Sequence, residues 1–255
     1  MTEPTAPSGE TLESVRSFWE THVNNEYYTD EVQASEAYFS EIETKRYRWH
    51  YHLLDLFRSL QGSHGRLLEV GSGIGVDSIR LARCGFDVTA VDLTSNAIRV
   101  ARQFARQRGV AIDFRLGNAE RLDFPDESFD AVYSFGVLHH TPDIERAVAE
   151  VRRVLRPGGT AYVMLYHRDS VVNLAHKVLR LPYESPRDRQ DHCPVVYTFS
   201  RRAAKRLFGE FSQVSVRAEY PFTHGFGPLG SRAPLQLRRA LGRAIGWHLM
   251  ITAKR

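Results

Sequence analysis

Short apolar runs alternate with amphipathic stretches from Arg66 onward for about a hundred residues, a rhythm that predicts repeated β-α units and a parallel sheet. Arg66–Val70 reads as the first strand, Val76–Arg83 as a helix ending at Gly85, and Asp87–Asp92 as the second strand. Ser95–Arg108 places Ile98, Ala101, Phe104 and Ala105 on one face, with Gly109 past its end, so a helix is expected there. Ile112–Leu116 and Phe129–Ser134 are the third and fourth strands, followed by a helix over Ile144–Leu155 that Asp143 caps. Pro157, Gly158 and Gly159 turn the chain into a fifth strand, Thr160–Tyr166.

Beyond His167 the alternation breaks. Residues 168–198 carry three prolines and mixed charge; a helix over Ser200–Phe208, a strand over Gln213–Tyr220 and a terminal strand over Trp247–Lys254 follow. Residues 221–246 are too many for a tight hairpin, so this stretch and 168–198 are expected to be insertions at the rim of the sheet, where substrate-binding parts often sit.

Ahead of the sheet lies a different composition. Residues 1–10, rich in Pro, Gly, Ser and Thr, are expected to be a disordered tail. Residues 11–60 are read as a helical lid, broken near Thr29 and Asp30, with Tyr47, Tyr51 and Leu54 on one face by i, i+4, i+7 spacing. Phe18, Trp19, Tyr27, Tyr28, Tyr38 and Phe39 begin an aromatic run that cannot bury itself. It must pack over a larger body, and the expectation is a mobile cover over a pocket in the domain formed by residues 61–255.

Composition narrows the function classes. The chain has 255 residues, 42% hydrophobic and 25% charged, enough for one sizeable α/β domain. No run approaches the roughly 18 apolar residues of a membrane helix, and the amino terminus has no secretory pattern. Two cysteines, Cys84 and Cys193, lack metal-ligand spacing, so a reducing cytoplasm and no metal are expected. The net charge of +4 hides a gradient from −6 over residues 1–60, through 0 over 61–165, to +10 over 166–255. Arg201, Arg202, Lys205 and Arg206 within the basic part either bind an anion or form a solvated helix face.

The first strand runs into Glu69-Val70-Gly71-Ser72-Gly73-Ile74-Gly75 and then a helix. Glycines at such a turn let backbone approach a ligand, and the helix start offers free N–H groups. The third glycine of a dinucleotide fingerprint would fall on Val76, which disfavours a nicotinamide enzyme. Asp92 closes the second strand, where a carboxylate can accept both hydroxyls of a ribose. Gly117-Asn118-Ala119-Glu120 follows the third strand, so three strand ends converge on one nucleoside-sized site.

In these pieces the sequence resembles the class I S-adenosylmethionine-dependent methyltransferases, in particular their small-molecule, methyltransferase-11 or UbiE-like branch. EVGSGIG, AVDLT, GNAERLDFPDESFD, YSFGVLHHTPD and RVLRPGG occur in the family's order between Arg66 and Tyr166. The resemblance implies a Rossmann-like, doubly wound α/β fold: a seven-stranded, mostly parallel sheet with an antiparallel last strand. It implies S-adenosylmethionine as cofactor. Gly71, Ser72, Gly73 and Gly75 would border its methionine part, with Glu69 near the amino group. Asp92 would hold the ribose, Leu93 would pack on the adenine, and Asn118, Ala119 and Glu120 would meet its edge, with Phe135 after the fourth strand. Asn118 stands where the family more often has Asp; its side-chain oxygen still accepts a hydrogen bond. Tyr27 and Tyr28 would face the sulfonium by cation-π attraction.

Methyl transfer from a sulfonium needs nucleophile, methyl and sulfur in line, so positioning and water exclusion supply much of the rate. A hydroxyl acceptor needs a base, and His140 and His167 are the candidates at the carboxyl edge of the sheet, while His139 of the same turn reads as architectural. The expected partner is a small-molecule acceptor methylated at O or N, with neither nucleic acid nor a membrane span. An RNA-binding protein that keeps the donor fold is the competing class; the basic tail favours it, and the absence of a D/N-P-P-Y tetrad weighs against it.

Overall fold

A computed structural model describes residues 11–22, 29–184, 192–223 and 232–255. The expected tail at 1–10 and the two tyrosines Tyr27 and Tyr28 lie outside the described residues. Strands β1 (Arg66–Val70), β2 (Asp87–Asp92), β3 (Asp113–Leu116), β4 (Phe129–Phe135) and β5 (Leu155–His167) pair in parallel in the order β3-β2-β1-β4-β5. The sheet continues through β8 (His248–Lys254) to β7 (Gln213–Glu219), and β8 runs antiparallel to both neighbours. This is the doubly wound order expected, with its carboxyl-edge crevice where β1 and β4 diverge. A two-residue strand, β6 (Thr198–Phe199), adds to the end of β5 and raises the strand count to eight.

Helices α4 (Val76–Cys84) and α5 (Ser95–Gln107) cover one face; α6 (Ile144–Val154) and α8 (Arg201–Leu207) cover the other. Alternation along β1 decides what each side receives: Leu68 and Val70 enter the α6 core, whereas Leu67 and Glu69 face the α4 side. Gly75 begins α4 at φ +80, and a Cβ there would stand 3.0 Å from Phe114 and 3.1 Å from Ala101. Its role is therefore close packing of α4 on β3 and α5.

The amino-terminal segment divides into two kinds of structure. Helices α2 (Glu36–Trp49) and α3 (Tyr51–Ser59) belong to the core: Phe39, Ile42 and Leu53 are fully buried, and Phe39 stacks on Phe104 of α5 at 4.1 Å. Among the described residues of this segment, α1 (Leu12–Thr21) alone lies over the carboxyl edge of the sheet. Its start is fixed by a capping box between Thr11 and Ser14, and its end is tied to α5 by Glu20. The expected face of Tyr47, Tyr51 and Leu54 is interrupted at His50, which ends α2 and precedes α3.

The two expected insertions hold helices of their own. Ser170 caps α7 (Val171–Leu179), and α9 (Leu235–Ile245) packs against β7 after Pro234. Arg201 at the start of α8 donates to the Arg243 and Ala244 carbonyls at the end of α9, while Arg202, Lys205 and Arg206 stay on a solvated face. Among the described residues no helix is long and apolar enough to cross a membrane.

Candidate active site

The carboxyl ends of β1, β2 and β4 open onto a cleft of about 810 Å3, counting the part open to solvent. Of the residues singled out in the sequence, Gly71, Gly73, Asp92, Leu93, Asn118, Ala119, Phe135 and His140 line it. Leu12, Val15 and Trp19 of α1 roof it, and Thr94, Ala97, Gly136, Val137 and Thr141 add to its wall. This roof lies within the stretch expected to form a lid, residues 11–60, and Trp19 belongs to the aromatic run read there; nothing in the sequence singles out Leu12 and Val15, because α1 carries no motif.

Backbone conformation makes the glycine loop specific. At Gly71, φ is +78 and a Cβ would stand 2.1 Å from a Val137 methyl, so any larger residue displaces the turn after β4. Gly71 and Ser72 both donate to the Val91 carbonyl, at 2.8 and 3.0 Å, which locks the loop onto β2. Gly73 has open space where a side chain would stand, so its backbone faces the cleft directly. Its N–H donates to Asp92 Oδ2 at 2.8 Å, and Asp92 Oδ1 accepts from Thr94 N at 3.0 Å and Thr94 Oγ1 at 2.8 Å. Burial pushes the Asp92 carboxyl above its ordinary range, against the stabilising hydrogen bonds from Gly73 and Thr94. Asn118 Oδ1 accepts from Glu120 N at 2.9 Å, closing a turn that carries Ala119 into the wall.

His140 stands in the one-turn 3-10 helix Leu138–His140, with its ring edge-on to Trp19 at 5.4 Å. Its Nδ1 lies 2.8 Å from the Val195 carbonyl, which only accepts, so the hydrogen sits on Nδ1 and Nε2 keeps the lone pair. Burial holds this imidazole below the ordinary histidine range, which keeps it neutral near pH 7. His139 is fully buried against Tyr166, at 4.0 Å between ring centres, and Tyr197 N donates to its carbonyl at 2.9 Å. Its role is structural.

Five other expected site residues lie off the cleft wall. Glu69 is buried beneath the glycine loop, where it accepts from Ser78 of α4, and burial raises its carboxyl well above the usual range. The Ser72 hydroxyl is buried without a partner, and Gly75 faces Phe114. Glu120 turns away to accept from Asp143 N at 2.8 Å and fixes the approach to α6. His167 donates from Nδ1 to the Gly246 carbonyl at 2.8 Å and is buried where β5, β6 and β8 meet. A carboxylate or imidazole next to a motif in sequence need not point where the motif points.

Behind the cleft lies a network that no motif announced. Arg46 of α2 and Asp77 of α4 form a buried ion pair, with Arg46 Nε 2.8 Å from Asp77 Oδ1, and Tyr47 and Tyr133 donate to the same carboxylate at 3.0 and 2.7 Å. Although burial acts to raise it, Arg46 holds the Asp77 carboxyl below its usual range. Arg46 also lies over the ring of Phe135, 5.1 Å from its centre, so the pair supports the cleft floor from behind.

The matched sequence family is described as "Methyltransferase domain", and it spans residues 68–163. Residues 68–163 thus match a methyltransferase domain. It carries the glycine loop, Asp92, Asn118 and His140. A ubiquinone biosynthesis O-methyltransferase of Paramagnetospirillum magneticum is 45% identical over 93 residues, covering 36% of this chain and 37% of that protein. One of the same name from Xanthomonas axonopodis is 36% identical over 110 residues, covering 43% of this chain and 46% of that protein. The chain thus spans less than half the length of these curated relatives. A solved Thermotoga maritima structure, described as a SAM-dependent methyltransferase and possible histamine N-methyltransferase, superposes with a TM-score of 0.62 at 20% identity. It covers 94% of this chain and 99% of that one. A [4+2]-cyclase, SpnF, superposes at 0.65 with 18% identity over 99% of both chains. The methyltransferase domain therefore has a fold that hosts more than one chemistry, and the site has to decide the function.

S-adenosylmethionine is the donor this domain implies, and the residues present fit it. The cleft has an acid at the end of β2 and apolar walls at Leu93 and Ala119 where a nucleoside needs them. Gly73 leaves room for close backbone approach.

Proposed function

We propose that the chain is an S-adenosylmethionine-dependent methyltransferase that methylates a hydroxyl of a small metabolite, with His140 as general base. The observation that carries this reading is a neutral imidazole in the cleft wall, its hydrogen fixed on Nδ1 by Val195 and its lone pair left on Nε2. An amine acceptor needs no such base. The relatives named as ubiquinone biosynthesis O-methyltransferases support transfer to oxygen.

The donor supplies an electrophilic methyl on a sulfonium. In this reading Asp92 accepts the ribose hydroxyls, Leu93 and Ala119 flank the adenine, and Asn118 meets its edge. The roof formed by Leu12, Val15 and Trp19 keeps water from the reacting groups. His140 Nε2 accepts the proton of the acceptor hydroxyl as the oxygen becomes nucleophilic, and Val195 stabilises the imidazolium that results.

The test is transfer of labelled methyl from S-adenosylmethionine to a panel of phenols, catechols, aliphatic alcohols and amines, followed as S-adenosylhomocysteine formed. Label on a hydroxyl, lost with His140→Ala, is the expected result. Transfer to amines alone would reassign the acceptor. Tight donor binding with no transfer to any acceptor would favour a non-methylating use of the fold.

A further inference from the structure

A second cavity opens on the α4 side of the sheet, between α3, α9 and strands β7 and β8. Arg217 comes from β7, Arg239 and Arg243 from α9, and His52 and Asp55 from α3; Glu219 completes its charged lining. Arg239 pairs with Asp55 at 2.6 Å. Three guanidiniums thus meet two carboxylates, and the wall keeps a positive excess.

The hydrogen bonding around this cavity is incomplete. Arg239 Nε is buried without a partner. His52 is only 6% exposed, and its Nδ1 has no partner, while its Nε2 meets His248 Nδ1 at 3.3 Å. Next to Arg239, Arg238 is 8% exposed and lies 4.4 Å over the Tyr51 ring, with Nε and Nη2 unpaired. The Tyr51 hydroxyl beside it is unpaired too. Buried polar groups are nearly always satisfied in native proteins, and guanidinium N–H groups more stringently than most. Among these, Arg239 and His52 line the cavity, and Arg239 Nε, which can only donate, lacks an acceptor.

We propose that the arginine-lined cavity between α3, α9 and β7–β8 is a second binding site, for an oxyanion of the phosphate class, separate from the methyl-donor cleft. Forked donors converging from a strand and a helix suit a tetrahedral, multiply charged oxyanion better than a single carboxylate, which Asp55 already supplies to Arg239. Separation from the donor follows from the lining, since the two cavities share no residue.

Calorimetry on the full chain at constant ionic strength tests this with inorganic phosphate, methyl phosphate and acetate as probes, with and without saturating S-adenosylhomocysteine. Phosphate should bind saturably, with affinity unchanged by S-adenosylhomocysteine and at least about tenfold weaker in R217Q/R243Q, whose side chains are exposed and leave the core alone. In wild type the His52 ring resonances should move with phosphate, a readout that needs no variant. Methyl phosphate binding as well as phosphate supports a phosphomonoester carried on a larger molecule. Its exclusion supports the free ion. The proposal is overturned by absence of saturable binding, by acetate binding equally well, by an unchanged affinity in R217Q/R243Q, or by displacement with S-adenosylhomocysteine. Failure of S-adenosylhomocysteine itself to bind would count against the donor reading and leave the oxyanion site standing.

Discussion

His140 donates its Nδ1 hydrogen to the Val195 carbonyl at 2.8 Å, and so the turn after β4 is tied to the chain that leads into β6. One bond fixes both the tautomer and the direction of the ring. With the lone pair on Nε2 and the ring in the cleft wall, the imidazole is prepared to take a proton rather than give one.

His140→Ala should cut turnover with a hydroxyl acceptor by about 10²- to 10⁴-fold and leave donor affinity almost unchanged. The pH dependence follows from burial, which holds the ring below its ordinary value of 6.5. The neutral base is present through the neutral range; the rate falls as pH drops through the lowered value and the ring takes up a proton. Steady-state kinetics against pH should show this acid limb in wild type and its loss in the variant. A drop of a few-fold with the limb intact would make His140 a positioning residue.

The parts of this site that were legible in sequence are those set by backbone. Arg66–Val70 and Asp87–Asp92 appear as strands within the expected bounds because apolar runs end at glycine or at an acid. Gly71, Gly73, Asp92 and Asn118 reach the cleft because strand ends must. Side-chain direction was less legible: Glu120 sits in the right loop but is drawn to Asp143 N, and His167 ends the right strand but is drawn to Gly246. Helices α7 and α9 were hidden by neighbouring prolines and charge, and the break at His50 carries neither Gly nor Pro. The Arg46–Asp77 pair spans 31 positions, and an arginine inside an amphipathic helix reads as surface until its partner is seen.

Asp92 holds the glycine loop as well as facing the cleft, because Gly73 N and both polar groups of Thr94 converge on its carboxylate. Asp92→Ala should weaken S-adenosylhomocysteine binding by about 1–3 kcal/mol, the cost of leaving buried hydrogen-bonding groups without their partner. Asp92→Asn should fall between, since its amide oxygen still accepts while its NH2 opposes one donor. Calorimetry on both variants checks the order, and unchanged affinity in Asp92→Ala would remove this residue from the donor site.

Removing one partner of a buried ion pair leaves an uncompensated charge, so Asp77→Ala should cost about 3–5 kcal/mol of stability. The double variant R46M/D77L should be less destabilised than D77A, because neither charge remains. The pH sign is that of a depressed carboxyl: the pair's contribution is present above the unfolded value of 3.8 and is lost as pH falls through the lower folded value. Urea denaturation at several pH values measures both effects.

Among the described residues of the segment expected to form the lid, α1 alone has the contacts of one. Its Leu12, Val15 and Trp19 roof the cleft, and its attachment runs through Glu20, which accepts from Ser95 N and Asn96 N, both at 2.9 Å, and from Ser95 Oγ at 2.6 Å. These bonds lower the Glu20 carboxyl and use the free N–H groups at the start of α5, beside the Asp92 turn. Phe39, Ile42, Leu53 and Phe57 of α2 and α3 are buried in the core instead. At roughly 1.5–3 kcal/mol for each buried side chain, those four match most of the 5–15 kcal/mol that holds a domain together. Deleting residues 1–60 should therefore give an unfolded or insoluble chain. Deleting residues 1–22 removes, among the described residues, only Val15 and Phe18 from the buried set and should leave a folded protein, cooperative on heating, that binds S-adenosylhomocysteine at least about tenfold more weakly. Glu20→Gln keeps the helix and loosens its attachment, so it should speed donor release with little change in thermal midpoint. Stopped-flow release and thermal denaturation separate the two roles. A folded 1–60 deletion would contradict the core assignment of α2 and α3, and a 1–22 deletion with full donor affinity would show that α1 does not close the cleft.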